Sequence, residues 1–368
     1  MHFFTSINLH YLAKARVLAS SVKRQHPDST FTLMLCERPG HFALDLSAEP
    51  FDQVLHVNAL SIPAPHLEAW IFGHSVVELC TAVKPFAMRE LMRRGKDDIV
   101  VYLDPDIQVF SPLDFIAESL KQKGVLLTPH LLEPVPLEEE IHLHEISCLK
   151  HGVFNLGFVA AHKDRGLRFV DWWCDRLLHF CRADIPQGLF TDQRWVDLSP
   201  AFFEEVLILR DTACNVASWN VSRRHVTRTA DGGYLVNGQP LKFFHFSGFD
   251  AGTHDKIIQL LQPENQALRT LTEEYRALLC QHGQDTLPDS SWSYGHFDNG
   301  RKITGRMRRA YRDSHRMQQQ IPAPFAAGGL FLWCYGKQLL LLGSKWIVRA
   351  AARLPGMKKL LRVFRPVP

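Results

Sequence analysis

Long uncharged apolar runs are missing from this chain. The best stretch, Gly328 to Val348, is broken by Lys337 and Lys345, short of the ~18 apolar residues that a spanning helix needs, so a transmembrane protein is not expected. Paired cysteines are missing too. The eight cysteines lie scattered from Cys36 to Cys334 with no C-x-x-C among them, which argues against zinc ribbons and disulfide-stapled scaffolds and favours a reducing compartment. The opening Met1-His2-Phe3-Phe4-Thr5-Ser6 lacks the charged start, apolar stretch and small-residue site of a secretory signal, and a cytoplasmic protein is expected. No internal repeat is visible.

Acids are nearly absent from the last part. Of 42 Lys and Arg, fifteen lie from Arg301 onward, where Asp313 is the only acid among the 38 Asp and Glu. An acidic body therefore carries a basic tail, whose natural partner is an anionic surface. What is present is globular in character: 46% hydrophobic and 22% charged residues in a chain of 368 suffice for two or three domains, or one large α/β domain with additions.

The order of patterns is α/β. His2–Ile7 reads as a buried strand, and Tyr11–Arg24 places apolar residues at helical spacing. Phe31–Cys36 and Gln53–Val57 read as further strands, with parallel pairing expected. Val77–Arg94 is helical in pattern with Pro85 inside it, which predicts a kink or two abutting helices. Ile99-Val100-Val101-Tyr102-Leu103 is wholly apolar and is expected at the centre of the sheet. Strands are also expected at 125–127, 154–161, 206–209 and 243–246, and helices at 167–180, 259–281 and 302–319.

Asp104-Pro105-Asp106 follows the central strand directly, which brings two carboxylates out where open α/β sheets bind ligands. Such hard oxygen donors suit Mg²⁺ or Mn²⁺ held together with substrate phosphates, although a D-x-D triplet is also a common surface turn.

With this triplet the chain resembles a glycosyltransferase of the GT-A fold, and most of all glycosyltransferase family eight. The resemblance covers about the first 250 residues and rests on segments in the family's order. It implies a Rossmann-like mixed sheet flanked by helices, and a nucleotide-sugar donor, UDP-linked, whose hexose passes to a glycan or glycolipid acceptor with retention of configuration. In Thr5-Ser6-Ile7-Asn8-Leu9-His10-Tyr11 it makes Thr5, Asn8 and Tyr11 donor-binding, with Tyr11 stacking on the base; Asn8 stands where the family usually has an acid. In Thr81-Ala82-Val83-Lys84-Pro85-Phe86 it directs Lys84 to the donor. It makes Asp104 and Asp106 metal ligands, Asp104 also touching the donor. In Phe243-Phe244-His245-Phe246-Ser247-Gly248 it makes His245 the third ligand of Mn²⁺ (or Mg²⁺) and brings Gly248 to the diphosphate. Asn155-Leu156-Gly157 resembles the family's donor-sugar turn, which assigns Asn155 and Gly157 to the donor. Asp192-Gln193 resembles an element near the anomeric carbon, which makes both catalytic. Each position has a plainer alternative: packing for Tyr11, a solvated helix lysine for Lys84, a core histidine for His245, and an N-cap pair for Asp192-Gln193.

The expected organisation is a catalytic domain at 1–250, a helical extension at 251–319 and a basic amphipathic tail at 320–368. In the tail, Leu330, Phe331, Leu332, Trp333, Tyr335, the Leu339–Leu342 run and Trp346 interleave with Lys and Arg, which suits peripheral contact with an anionic membrane or, alternatively, a helix pair with a basic face. Tyr294–Gly300 matches none of the family's segments. Rival readings are a haloacid-dehalogenase-type phosphatase, a nucleotidyltransferase, and an inert sugar-binding protein recruited to membranes. Nucleic acid is not expected as a partner, since the body is acidic.

Overall fold

A computed structural model describes residues 1–287, 292–326, 328–332 and 334–336. Its strands are β1 (His2–Ile7), β2 (Thr30–Leu35), β3 (Gln53–His56), β4 (Ile99–Leu103), β5 (Ile107–Val109), β6 (Val125–Pro129), β7 (Phe154–His162), β8 (Val206–Ile208), β9 (Val216–Ala217) and β10 (Phe243–His245), besides a three-stranded and a two-stranded sheet of short strands away from these. Seven of them form one sheet in the order β8-β6-β7-β4-β1-β2-β3. β1, β2, β3 and β4 run parallel, as does β8 with β6, while β7 is antiparallel to both β4 and β6. The mixed α/β class and the central place of β4 are as expected. All five residues of β4 are buried, because a strand covered on both faces must be apolar throughout.

A small sheet, β9-β10-β5, stands beside the large one. Phe158 of β7 stacks on Phe243 of β10 with centroids 5.4 Å apart, so the two sheets share a core. This arrangement positions the site, because the chain leaves β4, turns at Asp104–Asp106 and enters β5 at once.

The helices follow their punctuation. Pro85 divides the expected helix into Val76–Ala82 and Lys84–Arg94 and falls in the first turn of the second, where its missing N–H is no loss. The segment expected as one helix over 259–281 is two, Thr253–Leu261 and Gln266–Gln281. Pro263 lies between them, and the Asn265 side chain caps the second by accepting from Leu268 N at 3.1 Å. Likewise 302–319 becomes Gly305–Arg312 and His315–Gln320, opened by hydroxyl caps from Thr304 and Ser314. No helix among the described residues is long and apolar enough to cross a membrane.

The expected boundaries at 250 and 319 do not mark where the chain divides. One compact unit holds Met1–Ala64 and Val76–Ser293; the other holds Pro65–Ser75 and the described residues from Tyr294 on. Residues 253–281 belong with the sheet, since Ile258, Leu268, Leu271 and Tyr275 pack with Ala13 and Val17 of the first helix, Leu12–Gln25. The second unit has its own aromatic core. Phe72 is wholly buried, with ring centroids of Phe297, Tyr311, Phe325 and Phe331 at 5.8, 5.0, 5.1 and 5.0 Å. Tyr294 and Phe297 are buried as well, so the segment that matched no family motif serves this core. Phe331, counted in sequence among interfacial residues, is a core residue for the same reason. Trp333 and residues 337–368, where most of the amphipathic tail was expected, lie outside the described residues.

One buried histidine of the first unit gives the fold a pH dependence. His254 is fully buried beside Phe244, Phe246 and Phe249, and burial pushes its imidazole down to about 4. An unfolded chain takes up that proton near 6.5. Between about 6.5 and 4 the unfolded state therefore binds more protons, and stability falls as pH is lowered through that window, by up to about 3 kcal/mol. Urea unfolding at pH 7 and pH 4.5 should show a steeper loss for the parent than for His254→Phe; equal losses would remove the assignment.

Candidate functional site

The Asp104-Pro105-Asp106 turn is pinned on three sides. Ile107 N donates to Asp104 O at 3.0 Å, which closes the turn; Asp104 N donates to Gly157 O of β7 at 2.8 Å; Phe246 N donates to Asp106 O at 2.8 Å. The antiparallel register of β10 on β5 sets His245 opposite Ile107. Both carboxylates and the imidazole thus meet at the seam between the two sheets.

One ligand atom from each of Asp104, Asp106 and His245 lies within 4.8 Å of the others. His245 Nε2 is 3.0 Å from Asp106 Oδ1 and 3.9 Å from Asp104 Oδ2. Burial works against charge on both His245 and Asp106. Each nevertheless favours its ionised form, the imidazole held above its ordinary range chiefly by Asp106 and the carboxylate below its own chiefly by His245. Two carboxylates and an imidazole are donors that Mn²⁺ accepts. The surroundings are shaped to admit the ring: a Cβ on Gly157 would meet His245 Cε1 at 2.5 Å and Asn155 Oδ1 at 2.7 Å. Any larger residue at 157 displaces the imidazole.

Beside the triad stands a buried ion cluster. Lys84, the first residue of its helix, is 5% exposed rather than solvated. Its ammonium lies 3.2 Å from Asp104 Oδ1 and 3.3 Å from Asp192 Oδ2, donates to Leu156 O at 3.1 Å and sits 4.4 Å above the Tyr102 ring. Burial opposes its charge, yet Asp104 and Asp192 hold it above the ordinary lysine range. Asp192 is 2% exposed, and there burial outweighs Lys84 and raises the carboxyl. The residue before it, Thr191, has φ 45°, an uncommon conformation for a β-branched residue and one often stored at functional sites. Tyr102 completes the cluster by donating its hydroxyl to Asp104 Oδ1 at 2.6 Å.

These groups line one cavity of about 500 Å³. Asn8, Tyr11, Lys84, Asp104, Asp106, Asn155, Asp192, Gln193 and His245 all face it. Three residues assigned to the donor do not. Thr5 is fully buried within β1, where strand alternation gives the cavity Ser6 instead. Gly157 makes room for His245. Gly248, at φ +74°, turns the chain so that its carbonyl accepts from Thr253 N and His254 N, and Ser247 is the residue at the cavity. Gln193 lines the cavity, but both ends of its amide are engaged: Oε1 accepts from Leu156 N at 3.2 Å and Nε2 donates to His151 O at 3.1 Å. That makes it a strut for the 151–156 turn rather than a free catalytic group. Sequence reasoning missed Tyr102, His130, His144 and Trp219, which also line the cavity. Tyr102 sits in β4 two residues before Asp104, on the face that alternation shares with it; the other three carry no local signal.

No protein-family model matches the chain. Two Bacillus subtilis proteins, the uncharacterized YfnF and YfnD, are similar to it. YfnF is 27% identical over 220 residues, 58% of this chain and 71% of its own. YfnD is 26% identical over 261 residues, 70% of this chain and 80% of its own. Among solved structures, the galactosyltransferase LgtC in complex with donor and acceptor sugar analogues superposes with a TM-score of 0.42 at 14% identity, covering 79% of this chain and 98% of LgtC.

Proposed function

We propose that this chain is a metal-dependent glycosyltransferase that takes a hexose from a nucleoside diphosphate sugar, UDP-linked, and passes it with retention to a glycan or glycolipid acceptor. The observation that carries this reading is the Asp104, Asp106 and His245 triad on the wall of a cavity that also holds the buried Lys84 and Asp192. Asp104, Asp106 and His245 would hold Mn²⁺ or Mg²⁺. When bound, such an ion neutralises charge on a diphosphate as it departs.

The other groups have roles that follow from their own chemistry. Lys84, kept cationic by two carboxylates, adds positive potential in a site screened from water. Asp192 carries its carboxyl into the cavity with Lys84 as its one cation among the described residues, which suits it to face an electron-poor anomeric carbon. Gln193 holds the turn that presents Asn155. Tyr11, with Lys14 Nζ 4.4 Å from its ring centroid, offers an aromatic platform at the opening of the first helix, where a base would stack. His144 is 2% exposed with neither ring nitrogen hydrogen-bonded, and together with Trp219 it suits the hydroxyls and apolar face of an acceptor sugar.

The test is a panel of nucleotide sugars with Mn²⁺, read by thermal shift and by slow donor hydrolysis. A UDP-sugar should raise the melting temperature and be hydrolysed only when the metal is present. No response to any nucleoside diphosphate sugar in Mn²⁺ or Mg²⁺ would overturn the reading. We also read residues 337–368, with eight Lys and Arg and no acid, as a peripheral attachment to anionic membrane.

A further inference from the structure

We propose that His130 is a positioning residue that dictates, through Asn155, which nitrogen of His245 is offered to the metal. This rests on the metal reading of the Asp104, Asp106 and His245 triad.

Three hydrogen bonds run in series from a backbone carbonyl to that triad. His130 Nδ1 is 3.2 Å from Val153 O, His130 Nε2 is 3.3 Å from Asn155 Nδ2, and Asn155 Oδ1 is 3.2 Å from His245 Nδ1. A carbonyl can only accept, so His130 must carry a proton on Nδ1. Burial keeps the His130 ring neutral near pH 7 by pushing its imidazole down to about 4. A neutral ring with hydrogen on Nδ1 has only a lone pair at Nε2, which requires the amide nitrogen of Asn155 on that side. The amide oxygen then faces His245 and requires a hydrogen on Nδ1 of that ring. His245 Nε2 is left as the atom that faces Asp104 and Asp106, the one that would give up its proton and offer a lone pair when a cation binds.

Reversing the series would place two acceptors face to face at His130 Nδ1 and Val153 O and would turn an N–H of His245 toward the metal. A single carbonyl, Val153 O, therefore sets the donor state of a ring three partners away. The groups are held for this purpose: Asn155 and His245 are 6% and 3% exposed, and the Trp219 ring packs edge-on against both imidazoles, at 5.4 Å from His130 and 5.2 Å from His245. Asn220 Nδ2 donates to His130 O at 3.2 Å, fixing its backbone. Partners that orient a ligating histidine typically contribute ~10–100-fold in metal affinity.

The experiment is a Mn²⁺ titration followed by electron paramagnetic resonance, with and without UDP, on the parent chain, His130→Leu and His130→Gln. Leucine removes both ends of the link. Glutamine can donate to Val153 O and accept from Asn155, so it preserves the polarity. His130→Leu should bind Mn²⁺ ~10–100-fold more weakly, and His130→Gln should recover most of that loss. In parallel, ¹⁵N-histidine spectra of the Mg²⁺-loaded parent should show His130 and His245 both neutral and protonated at Nδ1. Equal Mn²⁺ affinity in His130→Leu and parent, or glutamine no better than leucine, overturns the proposal. So does a His130 signal protonated at Nε2, which decides the matter even if His130→Leu does not fold. A parent chain that takes up no Mn²⁺ under either condition instead overturns the metal reading beneath it.

Discussion

Converting Asp104 and Asp106 together to Asn is expected to lower sugar transfer by at least about a thousandfold, since the Lewis-acid contribution of a metal amounts to several kcal/mol of barrier. The fold should survive. Asparagine keeps an oxygen that can accept from Tyr102 and from Lys84, both within 3.2 Å of Asp104 Oδ1, and Lys84 retains Asp192 as counter-ion. The change also removes the repulsion between two neighbouring carboxylates. Mn²⁺ uptake should disappear while the circular-dichroism melt moves only a few degrees. Near-parental turnover in the double variant, or parental turnover undiminished in excess EDTA, would end the metal-dependent assignment. By contrast, Lys84→Met should strike stability as well as rate, because it leaves the Asp192 carboxyl buried without a cation, a loss of about 3–5 kcal/mol for a broken buried pair.

What the sequence made legible depended on how local the cause is. β4 was readable because a strand buried on both faces must be apolar, and Asp104 and Asp106 were readable because they follow it without a gap. The parallel start, β1 to β3, was readable from the alternation of strand and helix patterns. Lys84 illustrates the reverse case. Nothing in its own helix separates a solvated lysine from one enclosed by two aspartates, twenty residues away for Asp104 and more than a hundred for Asp192. Thr5 and Ser6 show how a one-residue shift along a strand exchanges the buried face for the cavity face. Gly157 was assigned to the donor from sequence, whereas its missing side chain makes room for His245, a partner brought in by the second sheet. The division into two units escaped altogether, because Pro65–Ser75 joins residues more than two hundred positions later through Phe72, and an aromatic ring at 72 looks the same in sequence whichever core it enters.

That second core carries the other large effect, a chain ended at Arg316. It would lack Met317, Ile321, Phe325 and Phe331, which are 4%, 1%, 2% and 0% exposed. Phe325 and Phe331 both lie near 5 Å from Phe72 in ring-centroid distance, and truncating a single buried Phe removes about 3–5 kcal/mol. Losing both exceeds what a small core supplies. The helix Leu67–Phe72 should then lose its hydrogen-exchange protection although its own sequence is intact, because its stability comes from rings far along the chain rather than from six residues of helix propensity. A chain ended at Gly336 keeps every one of those rings and should retain protection over 67–72. The same pair of truncations separates the core from the proposed membrane attachment. Residues 337–368 hold eight basic residues, each worth ~1 kcal/mol near an anionic surface, so the chain ended at Gly336 should stay folded yet fail to pellet with phosphatidylserine vesicles that the full chain binds at low salt. If the Arg316 chain protects Leu67–Phe72 as the full chain does, the aromatic core is not what holds that helix; if the Gly336 chain pellets equally, the attachment lies elsewhere on the protein.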